Sequence, residues 1–148
     1  MQQQTEFMQY PEEVLKPIRS ELTAWGVKEL RTPEEVERIL PKMEGTTLLY
    51  VNSMCGCAMG SAKPALKEAL KTLKSSKKQA HIYTVFAGQD MEATAKAREF
   101  LLPYAPSSPA FYILKQGKVV FAIERQDILR QKSYESIAMS LIAGFEKN

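Results

Sequence analysis

The sequence predicts an α/β fold in which a central mixed sheet of about four strands carries helices on both faces. Helix-like and strand-like segments follow one another in the order helix, helix, strand, helix, strand, helix, strand, strand, helix. The strand, helix, strand part of this order is typical of a parallel crossover, and the next two strands form a hairpin. Because 148 residues suffice for one hydrophobic core and no linker is evident, residues 1–148 are expected to form a single domain.

The first 44 residues predict a helical extension ahead of the sheet. Residues 1–10 are rich in glutamine and are expected to fray. Residues 11–44 then begin with apolar residues at helical spacing, namely Val14, Ile18, Leu22 and Trp25. A second helix is predicted from about Pro33 to Met43, because Thr32 supplies a capping hydroxyl and Glu35 follows it three residues later.

The sheet is predicted from four apolar, β-branched and aromatic runs, which are residues 45–52, 81–86, 110–115 and 118–124. The first run does not alternate with polar residues, as expected of a strand covered on both faces. The last two runs flank a Gln-Gly pair that predicts a tight turn. Apolar stripes predict the remaining helices, which are residues 58–73 with a kink at Pro64, Asp90–Leu102 with Asp90 as the N-cap, and a last helix carrying Ile137, Leu141, Ile142 and Phe145.

Charge and hydropathy exclude several classes of function. The chain has 20 basic and 17 acidic residues, and the basic ones are dispersed, so no nucleic-acid surface is indicated. No apolar run of membrane-spanning length occurs, and the first residues lack the pattern of a secretory signal. We therefore expect a cytoplasmic protein that does not bind a membrane, in a compartment where structural disulfides are rare.

Both cysteines of the chain lie in one short stretch, Cys55-Gly56-Cys57, between the first predicted strand and the helix after it. A cysteine at the start of a helix faces unpaired backbone N–H groups and the positive end of the helix dipole, which favour the thiolate. The thiolate is the nucleophilic form of cysteine. The stretch therefore predicts a thiol active site.

We expect different roles for the two thiols. Cys55, nearer the strand, is predicted to be the more exposed and the nucleophile, and Cys57 is predicted to resolve a mixed disulfide or to tune its partner. A disulfide between them would close a small ring, and departures from relaxed geometry make a disulfide easier to reduce. We therefore expect a relatively oxidising couple, a hypothesis that a potential below about −300 mV would contradict.

Other uses of the two cysteines compete with this interpretation. Two sulfurs and one distant histidine, His81, do not complete a structural zinc site. A two-thiolate copper(I) site or an iron–sulfur cluster shared across a dimer remains open, as do two buried structural cysteines. Phosphate binding by the glycines of the turn is the weakest alternative, because the P-loop lysine and serine are missing.

The stretch Val51-Asn52-Ser53-Met54-Cys55-Gly56-Cys57-Ala58 resembles the bacilliredoxin family, as do Pro64, Ser108-Pro109 ahead of a hairpin, residues 30–35 and Glu124-Arg125. The resemblance covers nearly the whole chain. It implies a thioredoxin-like fold and cytoplasmic thiol-disulfide exchange. The implied reaction removes bacillithiol or a similar low-molecular-weight thiol from S-thiolated proteins, without a bound cofactor or metal, and disulfide isomerase activity is also implied.

The resemblance assigns residues as well. Cys55 matches the attacking cysteine and Cys57 its partner, while Pro109 matches a cis-proline that faces the thiols. Ser108, Pro109 and Gly56 are then expected to contact substrate, with the backbone of Ser108 pairing in a strand-like manner. Gln126 departs from the family pattern, in which a histidine is expected.

Two further residues are weighed on their chemistry. Arg125, at a strand end, is expected either to stabilise a thiolate by its charge or to be a solvated surface arginine. His81, at a strand start, is expected to be structural or to face solvent.

Overall fold

A computed structural model describes residues 8–75, 80–131 and 133–148, and within them the fold is built on a five-stranded sheet. The strands are β1 (Lys28–Glu29), β2 (Thr46–Asn52), β3 (Ala80–Phe86), β4 (Ala110–Lys115) and β5 (Lys118–Ile123). The helices are α1 (Glu12–Ala24), α2 (Pro33–Ile39), α3 (Lys63–Leu73), α4 (Met91–Glu99), α5 (Arg125–Arg130) and α6 (Tyr134–Lys147). None of these helices has the length and apolar character needed to cross a membrane.

The sheet is mixed, as the sequence predicts, but it has one strand more than expected. The strand order is β1-β3-β2-β4-β5, with β1 and β2 parallel to β3 and with β4 antiparallel to both β2 and β5. The additional strand, β1, lies between the two predicted helices of the N-terminal extension, where no strand was expected. It consists of two residues paired with Tyr83 and Thr84, and so short a run has no periodicity to reveal it.

Helices cover both faces of the sheet, because the side chains of β2 alternate between two apolar clusters. Leu48 and Tyr50 pack on one face with residues of α1, α3 and α6. Leu49 and Val51 pack on the other face with residues of α2 and α4. All seven residues of β2 are buried, which explains the run without polar alternation in the sequence.

Several predicted boundaries shift. Helix α2 has the predicted capping box but ends at Ile39 rather than Met43, and α4 spans fewer residues than predicted. Asp90 precedes α4 as predicted, yet its carboxylate binds Arg19 and makes no cap hydrogen bond.

The prediction of a frayed start is wrong for residues 8–10. The side chain of Gln89 donates a hydrogen bond to the Met8 carbonyl at 2.8 Å and accepts one from the Tyr10 amide at 2.9 Å. These two bonds fix the segment beside α4. Residues 1–7, to which the same prediction applies, lie outside the described residues.

Candidate active site

The two cysteines lie where the chain leaves the carboxyl end of β2 and begins a helix, as predicted. The backbone amides of Ala58 and Met59 donate to the Cys55 carbonyl at 3.2 and 3.3 Å, which forms the first turn. A π-helical turn over Ala58–Ala62 then leads into α3, which has Pro64 in its first turn. Such wide turns often occur at functional sites in helices.

Both thiols are free, and their sulfurs lie 2.9 Å apart. The prediction that Cys55 is the more exposed cysteine is wrong, since Cys55 is only 6% exposed whereas Cys57 is half-buried. The reason is that Cys55 lies close behind the buried end of β2 and the buried Ser53, while Cys57 lies in the first turn of the helix beside exposed Gly56.

Hydrogen-bond donors converge on the sulfur of Cys55. The Ser53 hydroxyl lies 3.2 Å from this sulfur, and Nη1 of Arg125 lies 3.5 Å from it. Burial raises the pKa of the Cys55 thiol, but hydrogen bonds from Cys57, Ser53, the Ala58 amide and Arg125 outweigh burial and leave this pKa below its usual value.

The pKa of Cys57 shifts in the opposite direction. Burial, together with the hydrogen bond to Cys55 and the negative charge on that neighbour, raises the pKa of Cys57 to about 11. Arg125 lowers it, but by less. Of the two thiols, Cys55 is therefore the one that loses its proton first as the pH rises, while Cys57 retains its proton.

Arg125 joins the cysteines to the loop before β4. The Ser108–Pro109 peptide bond is cis, as predicted, and Nη1 of Arg125 donates to the Ser108 carbonyl at 2.8 Å. The backbone amide of Arg125 donates to Ser107 Oγ at 2.8 Å. Arg125 is therefore half-buried against the Cys55 sulfur and is not a solvated surface arginine, while stabilisation of a thiolate by its charge stays a prediction.

The Ser108 carbonyl accepts a hydrogen bond from the same Arg125 nitrogen that contacts the Cys55 sulfur, and both Ser108 and Pro109 are buried. Their contact with substrate stays a prediction. Gly56 is exposed, and a Cβ atom added there would meet no atom within 4 Å. No packing contact therefore requires glycine at this position. The absence of a side chain leaves open space beside the thiols.

Sequence reasoning missed the residues that hold the site from within. The Asn52 side-chain oxygen accepts hydrogen bonds from the Ser53 amide and from the Tyr50 hydroxyl, each at 2.9 Å. Ser53 in turn contacts Cys55. Position next to the cysteines was the one signal available for Asn52 and Ser53, and Ser107 had none.

His81 and Gln126 lie outside this constellation. His81 pairs with Thr47 near the start of β2, which is the end of the sheet opposite to the cysteines, in line with its expected structural role. Gln126 is exposed in α5 and makes none of the contacts described for Cys55. Across residues 8–75, 80–131 and 133–148, no group of three or more histidine, cysteine and carboxylate side chains is placed to hold a metal ion.

The protein has a thioredoxin fold, which three features define. These are a mixed sheet with helices on both faces, a helix that starts at two thiols, and a cis-proline before β4. Solved structures agree on the fold. A thioredoxin from Trypanosoma brucei brucei superposes with a TM-score of 0.57 at 15% identity, covering 82% of this chain and 92% of that one. The oxidised mitochondrial thioredoxin 3 of Saccharomyces cerevisiae gives 0.55 at 15% identity, covering 83% and 96%.

Sequence comparison is more specific. The family model described as "Disulphide isomerase" matches residues 10–148. A bacilliredoxin of Geobacillus kaustophilus is 49% identical over 138 residues, 93% of each chain. Another, from Cytophaga hutchinsonii, is 47% identical over 132 residues, 89% of this chain and 94% of that one. The chain belongs to the bacilliredoxin family of thioredoxin-like oxidoreductases.

Proposed function

We propose that the protein reduces mixed disulfides between proteins and a low-molecular-weight thiol such as bacillithiol, with Cys55 as the nucleophile. The observation that carries this proposal is the convergence of Ser53, Cys57 and Arg125 on the sulfur of Cys55. Family membership supports the choice of small thiol. We assign the reaction to the cytoplasm, where a reducing thiol pool keeps both cysteines free.

In the first step the Cys55 thiolate attacks the sulfur that belongs to the small thiol. A Cys55–small-thiol disulfide forms, the original mixed disulfide breaks, and the substrate protein leaves as a thiolate. The thiol of Cys57, 2.9 Å from Cys55, is the nearest proton donor for that leaving group. No net oxidation has occurred, because one disulfide has replaced another.

Two routes complete the cycle. In one, a second molecule of the small thiol attacks the bound one, so that a small-molecule disulfide leaves and the Cys55 thiolate returns. In the other, the Cys57 thiolate attacks Cys55, releases the small thiol and closes a Cys55–Cys57 disulfide, which two electrons from thiols then reduce. The 2.9 Å separation of the sulfurs supports the second route.

The neighbouring residues are assigned supporting roles. Arg125 stabilises the thiolate and holds the Ser108 carbonyl, while Ser108 and Pro109 form the surface along which the substrate chain pairs. Exposed Gly56 gives the incoming disulfide room beside Cys55.

Disulfide isomerisation is a second candidate, favoured by the description of the matching family model. It shares the first step, since Cys55 would attack a protein disulfide instead of a mixed one. A substrate protein with scrambled disulfides tests it, and recovery of native pairing that depends on Cys55 is the expected result.

The proposed function is tested by loading a model protein with bacillithiol and following release of the small thiol. Wild type is expected to turn over, and Cys55→Ser is expected to lose activity. Cys57→Ser serves as the matched control, because it removes one thiol from the same turn. Full activity in Cys55→Ser would contradict the proposal, and activity in Cys57→Ser would select the first route of regeneration.

A further inference from the structure

We propose that Ser53 is a further catalytic residue, whose hydroxyl donates a hydrogen bond to the Cys55 sulfur whenever that sulfur carries negative charge. The inference rests on the proposed function, because it requires Cys55 to be the reacting thiol. Ser53 Oγ lies 3.2 Å from the sulfur. A thiolate has no proton to give, so the hydroxyl must be the donor in this pair.

The backbone that carries the Ser53 hydroxyl is held in place before substrate arrives. Ser53 is buried, and its backbone amide is bonded to Asn52 Oδ1 at 2.9 Å. Asn52 is held in turn by the Tyr50 hydroxyl, and the Tyr50 ring stacks on Phe111 at 4.9 Å. A donor held in this way needs no reorganisation when charge develops on the sulfur.

Ser53 differs in a separate way from each of the two other side-chain donors to Cys55. Cys57 gives up its proton or its sulfur during the cycle, and Arg125 lies further away and is shared with the Ser108 carbonyl. Among the residues that the structure describes, Tyr50 is a further titratable group near the thiols. Its hydroxyl donates to Asn52, and burial raises its pKa well above the usual value.

The hydroxyl affects the two halves of the cycle differently. In the attack on the mixed disulfide it increases the fraction of thiolate but makes each thiolate less nucleophilic, since nucleophilicity falls with pKa. In regeneration by a second small thiol, Cys55 is the leaving group, and a stabilised thiolate leaves faster. A donor on the sulfur therefore produces a pH signature that loss of packing cannot imitate.

The test is the rate of the first step for Ser53→Ala, measured from about pH 5.5 to about pH 9.5 with a bacillithiol-loaded protein. Below the thiol pKa we expect the variant to be about three- to tenfold slower, because less thiolate is present. At the alkaline end it should be about two- to fivefold faster than wild type, so the two profiles cross. An unchanged profile, or one lowered by the same factor at every pH, would overturn the proposal.

Two further variants make the result specific. Thr84→Val also removes a buried hydroxyl near β2, one that donates to the Tyr50 carbonyl at 2.7 Å, but it leaves Cys55 untouched and should keep the wild-type profile. Ser53→Thr retains a hydroxyl and should restore the profile. If Ser53→Ala does not fold, Ser53→Gly removes the same donor. Loss of activity in Cys55→Ser with an unchanged Ser53→Ala profile would reject this inference and leave the proposed function standing.

Discussion

Two arginines of this chain have opposite surroundings. Arg19, only 6% exposed, donates to the carboxylates of Glu12, Glu29 and Asp90 at 2.7 to 2.9 Å. Arg125 is half-buried, contacts a thiol and a carbonyl, and has Nη2 buried without a hydrogen-bond partner in the described part of the chain. The Arg19 guanidinium is paired with three carboxylates. The Arg125 guanidinium instead contacts the Cys55 sulfur and a backbone carbonyl.

From this difference we infer that Arg19 holds the fold and propose that Arg125 adjusts the reactivity of Cys55. The carboxylates around Arg19 come from α1, from β1 and from the residue before α4, so this side chain joins the helical extension to the rest of the domain. Carboxylates around Arg125 would compete with the thiolate for the guanidinium. Incomplete satisfaction at Arg125 is therefore expected of a group that acts on a reacting atom.

The largest effect is expected on the stability of the fold when Arg19, which is paired with three carboxylates, is replaced. Arg19→Met removes the nearest counter-ion of Asp90 and Glu29, which are mostly buried, and we expect a loss of about 3 kcal/mol in the free energy of unfolding. Urea denaturation measures it. Arg31→Met is the matched control, because Arg31 approaches the same cluster from the surface and should cost less than about 1 kcal/mol. Equal losses in the two variants would contradict the assigned role of Arg19.

Removing the other arginine should affect activity more than stability. Arg125→Met is expected to lower the de-thiolation rate at neutral pH about tenfold, because the pKa of Cys55 rises, while the free energy of unfolding changes by about 1 kcal/mol. Arg130→Met, an exposed arginine of the same helix, should leave both quantities unchanged. If Arg125→Met lost much stability but kept full activity per folded molecule, Arg125 would have a structural role like that of Arg19.

The smallest effect concerns Cys57 at high pH. Its pKa is about 11 in the folded protein and 9.0 in its unperturbed state, so the unfolded chain loses this proton first as pH rises. The stability that Cys57 contributes is therefore present below about pH 9 and lost towards about pH 11. Screening of this half-buried group keeps the loss below about 1 kcal/mol. Comparing urea denaturation of wild type and Cys57→Ala at about pH 8 and about pH 10.5 measures it, and identical pH dependence would contradict the shift.

Local patterns revealed most of the fold and the position of the two thiols. The capping box of Thr32 and Glu35, the hairpin turn and the uninterrupted apolar run of β2 depend on neighbours in sequence, and each was predicted correctly. Cis Pro109 was anticipated from a family resemblance, since an isolated proline carries no sign of its isomer.

The remainder depends on contacts between distant segments. Arg19 looks like a polar residue of an amphipathic helix, and only the fold brings Asp90, 71 residues away, to its guanidinium. The contact of Arg125 with Cys55 has the same origin, because it joins residues 70 positions apart. Strand β1 was missed because two residues make no pattern.

We expect ionisation, and not exposure, to select the reacting thiol. Alkylation by iodoacetamide at about pH 7, followed by mass spectrometry of the peptides, tests it directly. The expected result is faster modification of Cys55, although Cys57 is the more exposed of the two. Modification of Cys57 first, or of both at the same rate, would contradict the assignment of the thiolate to Cys55.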